Sequence, residues 1–538
     1  MVAHFDFIIV GGGTAGNTVA SRLAENPNVR VLIVEAGVGN PTEIEEVTTP
    51  SKAMSLRGSK YDWAYKTTVV KRNDYERIEK PNTRGKILGG SSSLNYNTWI
   101  PGCKETFDDW EEFGGKEWTW EPLLHYLRKS VTYYDDEKLY DPKLKSIGGG
   151  GGHLQRKDER PHPLYLFLKN KPNITVVSEV HSKRLIINKA TRTCTGVIVI
   201  APSGAELTFY ATREVILSQG VFESPKLLML SGVGPAHELT KHGIEVIVDS
   251  PHVGQNLIDH PAVPFVLRVK DGYGMDDVLL RSGPLNSTAA AQYRKDKSGA
   301  VGSGCLEMVG FPRIDKNLMR DPIYRAAKAS NGGLDPLQPT GGRPHFELDF
   351  VCLFGSAFQW HYPFPREGQY MSVVVDLVRT VSEAGEVKLN SADPLEQPNI
   401  NLNFFANEID IIAMREGIRW TYDLLLNGDG FKDIVVSEFP WEMPLDSDEE
   451  MRKVVLERCQ TAFHPTGTAR LSKSIEQGVV DPQLRVHGIK NLRLIDASVI
   501  PIIPDCRPQN SVYMVAEKGA DMIKAHHKDI YKDAQSKL

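Results

Sequence analysis

Cysteine is scarce and dispersed in this chain. The six cysteines, Cys103, Cys194, Cys305, Cys352, Cys459 and Cys506, form no CxxC pair and have no histidine at metal-ligand spacing, which excludes a disulfide framework and a structural zinc site. Long apolar runs are missing as well. Nothing approaches the roughly 20 residues that a bilayer crossing needs, and the first strand-like run, FDFIIV, starts at Phe5 and leaves no room for a signal peptide. Excess basic charge is also lacking: 63 Lys and Arg are mixed with 68 Asp and Glu, for a net charge of -5, so no surface suited to a nucleic-acid backbone is expected. Together these absences predict a soluble chain that is not secreted and has no nucleic-acid or membrane partner. At 538 residues it is long enough for two domains around a large ligand. The last residues, Ser536, Lys537 and Leu538, form a receptor-read peroxisomal address, so the expected location is the peroxisome, or else the cytoplasm.

Periodicity organises the rest. A buried strand over Phe5 to Val10, a glycine loop over Gly11 to Gly16, a helix over roughly Asn17 to Ala24 and a second strand ending on Glu35 read as one βαβ beginning. Strand patterns return at NITVV, KRLIIN, TGVIVIA and ELTFYATREVILSQG, followed by a helix through ESPKLLMLSG. Between residues 262 and 455, alternating runs such as HFELDFVCLF and MSVVVDLVR predict an antiparallel sheet. The chain closes with a strand (NLRLIDAS), a proline-rich turn and a helix whose Val512, Val515, Ala516, Ala520 and Ile523 share one face. No repeat is visible, and the one low-complexity tract, Gly148 to Gly152, reads as a flexible linker.

Gly11, Gly13 and Gly16 form a GxGxxG between strand and helix, with Glu35 nineteen residues beyond Gly16. The first glycine permits the tight turn, the second lets a pyrophosphate approach, and the third allows close helix packing. Glu35 suits a ribose diol and repels a 2'-phosphate, which disfavours NADP. FAD and NAD are not separated by this motif alone.

A second glycine-rich stretch separates them. RGKILGGSSSLNYNTWIPG, Arg84 to Gly102, resembles the first signature of the glucose-methanol-choline (GMC) flavoprotein oxidoreductases, a likeness that runs on to Asp108. GVFESPKLLMLSGVG resembles the second signature, with Val221 where a smaller residue is usual; VGQNLIDHP, FHPTGTARL and LRLIDASVIP are similar to family segments too. The resemblance implies extended FAD between two domains. It places Gly11, Gly13, Thr14, Ala15, Gly16, Glu35 and Ala36 at the ADP half, and Arg84, Gly89, Ser93, Asn95, Tyr96, Asn97 and Thr98 along the flavin. Val180 falls near the adenine, and Asp496 and Ala497 near the pyrophosphate and ribityl. Leu94 stands where some relatives carry a flavin-linking histidine, so the FAD is expected to be non-covalent; an 8-formyl form is a further possibility that the resemblance raises. The implied fold is α/β plus α+β, a discontinuous Rossmann-like FAD-binding domain (1–50, 84–105, 174–261 and 456–538) with a substrate domain built on an antiparallel sheet with flanking helices and cap segments (51–83, 106–173 and 262–455).

His464 in FHPTGT matches the family histidine that faces flavin N5 and takes an alcohol proton. Most relatives carry a second histidine or an asparagine before the C-terminal helix, and here Arg507 stands at that place. A guanidinium stays charged and cannot act as a base; its planar fork suits a carboxylate. Formate is a carboxylate that loses hydride from its own carbon with no hydroxyl proton to remove, and the pair His464 and Arg507 resembles formate-oxidising members of the family. The expected reaction is therefore formate plus oxygen giving carbon dioxide and hydrogen peroxide, with catalytic roles for His464 and Arg507. Asn510, as a helix cap, and Ser511 open the C-terminal helix, whose positive end faces the flavin. Phe358, Trp360 and Tyr362 are candidates for a small dry pocket wall.

Two alternatives to this reading remain open at this point. Arg507 pairs with Asp505 or Glu517 and only fixes the turn; the substrate is then a small primary or aryl alcohol, taken by an oxidase or a dehydrogenase. Or the segment near 150–165, shorter than in relatives, leaves a flavin-binding protein with impaired turnover.

Overall fold

Phe5 to Val10 and Val31 to Val34 are unbroken apolar runs, the pattern of strands covered on both faces. In the structure, a computed structural model describing residues 3–130, 168–304, 306–338, 341–356 and 362–531, they form the parallel strands Ala3–Val10 and Val31–Val34. The helix between them spans Thr14–Leu23, so it starts inside the glycine motif, three residues earlier than its apolar pattern suggested. The Gly148–Gly152 tract, the shortened segment at 150–165, Phe358, Trp360 and the terminal Ser536 to Leu538 lie outside the described residues.

A seven-stranded sheet grows around this pair in the order Ile174–Val177, Val31–Val34, Ala3–Val10, Glu206–Leu217, Thr193–Ile200, His181–Asn188, with Leu492–Leu494 also pairing with Glu206–Leu217. Strands from three distant parts of the chain therefore share one core. The C-terminal helix Gln509–His526 packs into that core, with every residue from Asn510 to Ala520 buried, a wider buried surface than the single apolar face read from its sequence.

The second large sheet is antiparallel throughout, in the order Leu306–Gly310, Phe346–Val351, Gln369–Leu377, Pro261–Val269, Val435–Phe439, with Gln460–Thr461 also on Pro261–Val269. Alternation in FELDFV sets its two faces. Phe346, Leu348 and Phe350 join Val263, Phe265, Val373 and Val375 in an apolar core. Glu347 and Asp349 must then point the other way. Register places Glu347 opposite Asp376, Asp376 opposite Ala262 and Ala262 opposite Gln460, so these residues form one row on the face turned toward the dinucleotide motif. Among the described residues, no helix is long and apolar enough to cross a membrane.

Candidate active site

One cavity of about 260 Å³ runs from the glycine loop to this row of side chains, roughly twenty times the space one ordered water needs. At one end Gly11 has φ +104°, and a Cβ there would lie 2.4 Å from the Ser218 carbonyl oxygen; a Cβ on Gly16 would sit 2.0 Å from the Gly11 carbonyl oxygen. Both glycines are thus required, one by backbone conformation and contact, the other by helix–strand contact alone. Gly13 ends the turn in extended backbone, and the helix opens directly on the cavity through Thr14 and Ala15. The N–H groups of a first helical turn have no partner within the helix, a ready place for phosphate. Glu35 closes this end. Its carboxylate accepts from the Gly12 N–H at 2.9 Å and the Gly37 N–H at 2.7 Å, and burial pushes its pKa up to about 7 against those N–H groups.

At the other end, strand pairing of Pro261–Val269 with Gln460–Thr461 delivers His464 to the cavity. His464 Nδ1 lies 3.1 Å from His260 Nδ1, so one ring donates and the other accepts. Burial, reinforced by His260, Arg507 and Arg84, drives the His464 pKa well down, and burial takes His260 to about 3. Both rings are neutral at ordinary pH. Asp259 fixes the His464 backbone by accepting from its N–H at 2.9 Å, and Arg84 ties the second glycine-rich stretch to the same loop by donating to the Phe463 carbonyl at 2.6 Å.

Arg507 stands beside His464 in the cavity wall. Its Nη1 donates to Glu347 and its Nη2 pairs with Asp349. Burial works against the guanidinium, but Asp349 and Glu347 more than offset it and raise the pKa further. The alternative pairing with Asp505 or Glu517 is overturned: Asp505 accepts from Thr106 and Gln338, and Glu517 holds Arg22 and Lys129. Asp376 lies in the same wall. The sequence reading named none of Glu347, Asp349, Asp376 and His260; the acids in the alternating FELDFV run were the available signal.

Of the residues singled out in the sequence, Gly11, Gly13, Thr14, Ala15, Glu35, Ala36, Arg84, Asn95, Tyr96, Thr98, Val180, His464, Asp496, Ala497 and Arg507 line this cavity, and so does Leu94. Gly16, Gly89, Ser93, Asn97, Asn510 and Ser511 do not. Gly89 supports the loop by donating from its N–H to the Gly12 carbonyl at 2.7 Å, and Ser93 donates to the Leu88 carbonyl at 3.2 Å. Asn510 is no cap: the helix starts at Gln509 behind Pro508, and the Asn510 amide donates to the Ile100 carbonyl. Asp496 accepts from the Gly220 N–H at 2.9 Å and the Ser224 hydroxyl at 2.6 Å, holding a second helix start at the cavity edge. Tyr362 packs away from the cavity against Val266, Phe354 and Tyr370.

Comparison with known proteins agrees with this geometry. Family models described as GMC oxidoreductase match residues 5–160, 155–262 and 381–516, most of the chain. The chain belongs to the GMC oxidoreductase family. Within this family it is 30% identical to a dehydrogenase of Strobilurus tenacellus, covering 97% of this chain and 94% of the relative, and 29% identical to an alcohol dehydrogenase [acceptor] of Pseudomonas putida, covering 96% and 95%. A solved structure of formate oxidase is 67% identical, with TM-score 0.95 over 98% of this chain and all of that one. An arginine variant of Aspergillus oryzae formate oxidase, solved to study FAD modification, matches with the same identity, TM-score and coverage. In this GMC chain the residues present fit FAD: helix N–H groups open to phosphate, a fixed carboxylate beside the glycine loop, and one cavity continuous from there to His464 and Arg507.

Proposed function

We propose that this GMC oxidoreductase is an FAD-dependent formate oxidase, converting formate and oxygen to carbon dioxide and hydrogen peroxide. The observation that carries the reading is Arg507, a largely buried cation in the wall of the FAD cavity beside His464; the 67% identity to formate oxidase supports it. When bound, FAD, non-covalent and open to 8-formyl modification, would supply the hydride acceptor and the route of the electrons to oxygen. The side chains position and charge-match the substrate. Of the five N–H donors on a guanidinium, Glu347 and Asp349 engage two through Nη1 and Nη2, which leaves three for a carboxylate. Glu347 and Asp349 also stop the fork from rotating, so formate meets a preset orientation. His464, kept neutral, donates a hydrogen bond to the bound substrate without adding charge. The same reading assigns the cofactor domain to 1–50, 84–105, 174–261 and 456–538 and the substrate domain to the remainder.

Anaerobic mixing of the purified, FAD-loaded protein with formate tests this. Formate should bleach the flavin absorbance, and short or aryl alcohols should not. Bleaching by an alcohol and not by formate would replace the reading with an alcohol oxidase, and a chain that retains no flavin would end both.

A further inference from the structure

The carboxylates behind Arg507 outnumber their cations. Glu347, Asp349 and Asp376 are all buried on one face of the antiparallel sheet, and Arg507 is the cation that pairs with the first two. Glu347 and Asp376 sit directly opposite each other on neighbouring strands, where Cβ atoms come within about 5 Å and like charges repel. Glu347 Oε2, Asp349 Oδ1 and Asp376 Oδ1 are each buried without a hydrogen-bond donor. A carboxyl proton between Glu347 and Asp376 satisfies two of these oxygens, one as the O–H donor and the other as its acceptor, and relieves the repulsion in one step.

The chemistry of the proposed reaction creates a use for that proton. An alcohol carries its own: its hydroxyl proton and its carbon-bound hydrogen together supply both hydrogens of hydrogen peroxide. Formate does not. The balanced reaction is HCOO⁻ + O₂ + H⁺ → CO₂ + H₂O₂. The C–H bond breaks with both electrons, that hydrogen and the electron pair reduce oxygen by way of the flavin, and the second O–H bond needs a proton from elsewhere. We propose that the Glu347–Asp376 pair is the proton store of this site, and that Asp376, which lines the cavity, delivers the proton consumed in each turnover. The proposal rests on the formate reading above.

The surroundings favour this state. Burial raises Glu347 to about 8, with Arg507 opposing and Asp349 adding to the shift. Burial, then Asp349 and Glu347, raise Asp376 well above the usual carboxylate range, with Arg507 opposing and Asp259 adding a smaller push. Cys506 also faces Glu347 from the turn before the C-terminal helix, its thiol held protonated by burial. His260 and His464, across the cavity, are neutral and neither compete for the proton nor compensate its loss.

The test uses FAD-loaded full-length protein as wild type, Glu347→Gln, Asp376→Asn and the double variant. Infrared spectra at pH 7 should show a protonated carboxyl C=O stretch in the wild type that the double variant lacks. Flavin bleached by formate, and separately by dithionite, is then mixed with oxygen. Asp376→Asn should slow the return of colour by about 100-fold, the size of a lost general acid, with formate bleaching changed far less. The wild-type rate should fall as pH rises and the pair loses its proton, and the variant's rate should stay flat. A wild type with no such carboxyl band, or Asp376→Asn recolouring at the wild-type rate, overturns the proposal; a rate that follows only the fraction of formic acid in solution overturns it too. If formate fails to bleach the wild type, the formate reading falls, and the infrared and dithionite measurements still decide whether the pair stores and delivers a proton.

Discussion

Arg507 is where the chemistry and the stability of this chain meet. Replacing it with Ala leaves the buried Glu347 and Asp349 without the cation they share, and breaking a buried ion pair costs about 3–5 kcal/mol; a thermal melt should register a large drop. Arg507→Ala combined with Glu347→Gln and Asp349→Asn should recover most of that stability and none of the formate bleaching, separating structure from substrate binding. Arg507→Lys keeps the charge and loses the fork, so the anaerobic formate titration should weaken by roughly tenfold or more, the worth of one charged hydrogen bond. The position and charge of Arg507 were legible in the sequence, because flanking family motifs carry them. Its partners were not. Glu347 lies 160 residues upstream, in an alternating run that looks the same whether its polar face meets water or a buried cavity.

At the scale of elements, the strands and helices around the cofactor were readable because their patterns are local: an apolar run for Ala3–Val10, and an apolar helix face in Gln509–His526. Helix starts were less so, since they depend on contacts across the sheet. Thr14–Leu23 begins inside its glycine motif because Gly16 lets the helix approach the Gly11 carbonyl, where a Cβ would stand at 2.0 Å. Gly16→Ala gains about 1 kcal/mol of helix propensity and loses more to overpacking against backbone that cannot yield. The expected result is a lower melting temperature and FAD lost on gel filtration. Asp496 does similar work for the helix Gly220–Leu230, accepting from Gly220, Ser224 and Ser498. Asp496→Ala strands the buried Ser498 donors and the half-buried Gly220 N–H, at about 1–3 kcal/mol for a buried donor, and should also release FAD, measured by the flavin-to-protein absorbance ratio.

For the whole molecule, the cavity stores its titrating groups out of water, and this sets the pH dependence of stability. Burial holds Asp259 at about 6, Glu35 at about 7 and Glu347 at about 8. The unfolded chain releases these protons near pH 4, so their contribution is full below that and is lost as pH rises through the folded values. Buried histidines act in the opposite sense. Burial takes His181 to about 4 and His260 to about 3, and lowers His464 as well; the unfolded imidazoles charge below about 6.5, so the histidine contribution is full above that and is lost as pH falls. The two effects oppose each other below pH 6.5. Above it the histidine contribution is level, and stability should fall between about pH 6.5 and 8. Glu347→Gln removes one of the protons responsible, which takes up to about 1.4 kcal/mol per pH unit from the slope. Melting temperatures of the FAD-loaded wild type and Glu347→Gln across this window check it: the wild-type curve should decline and the variant's should decline less, whereas parallel curves would mean that Glu347 is already ionised beside Arg507 in the folded protein.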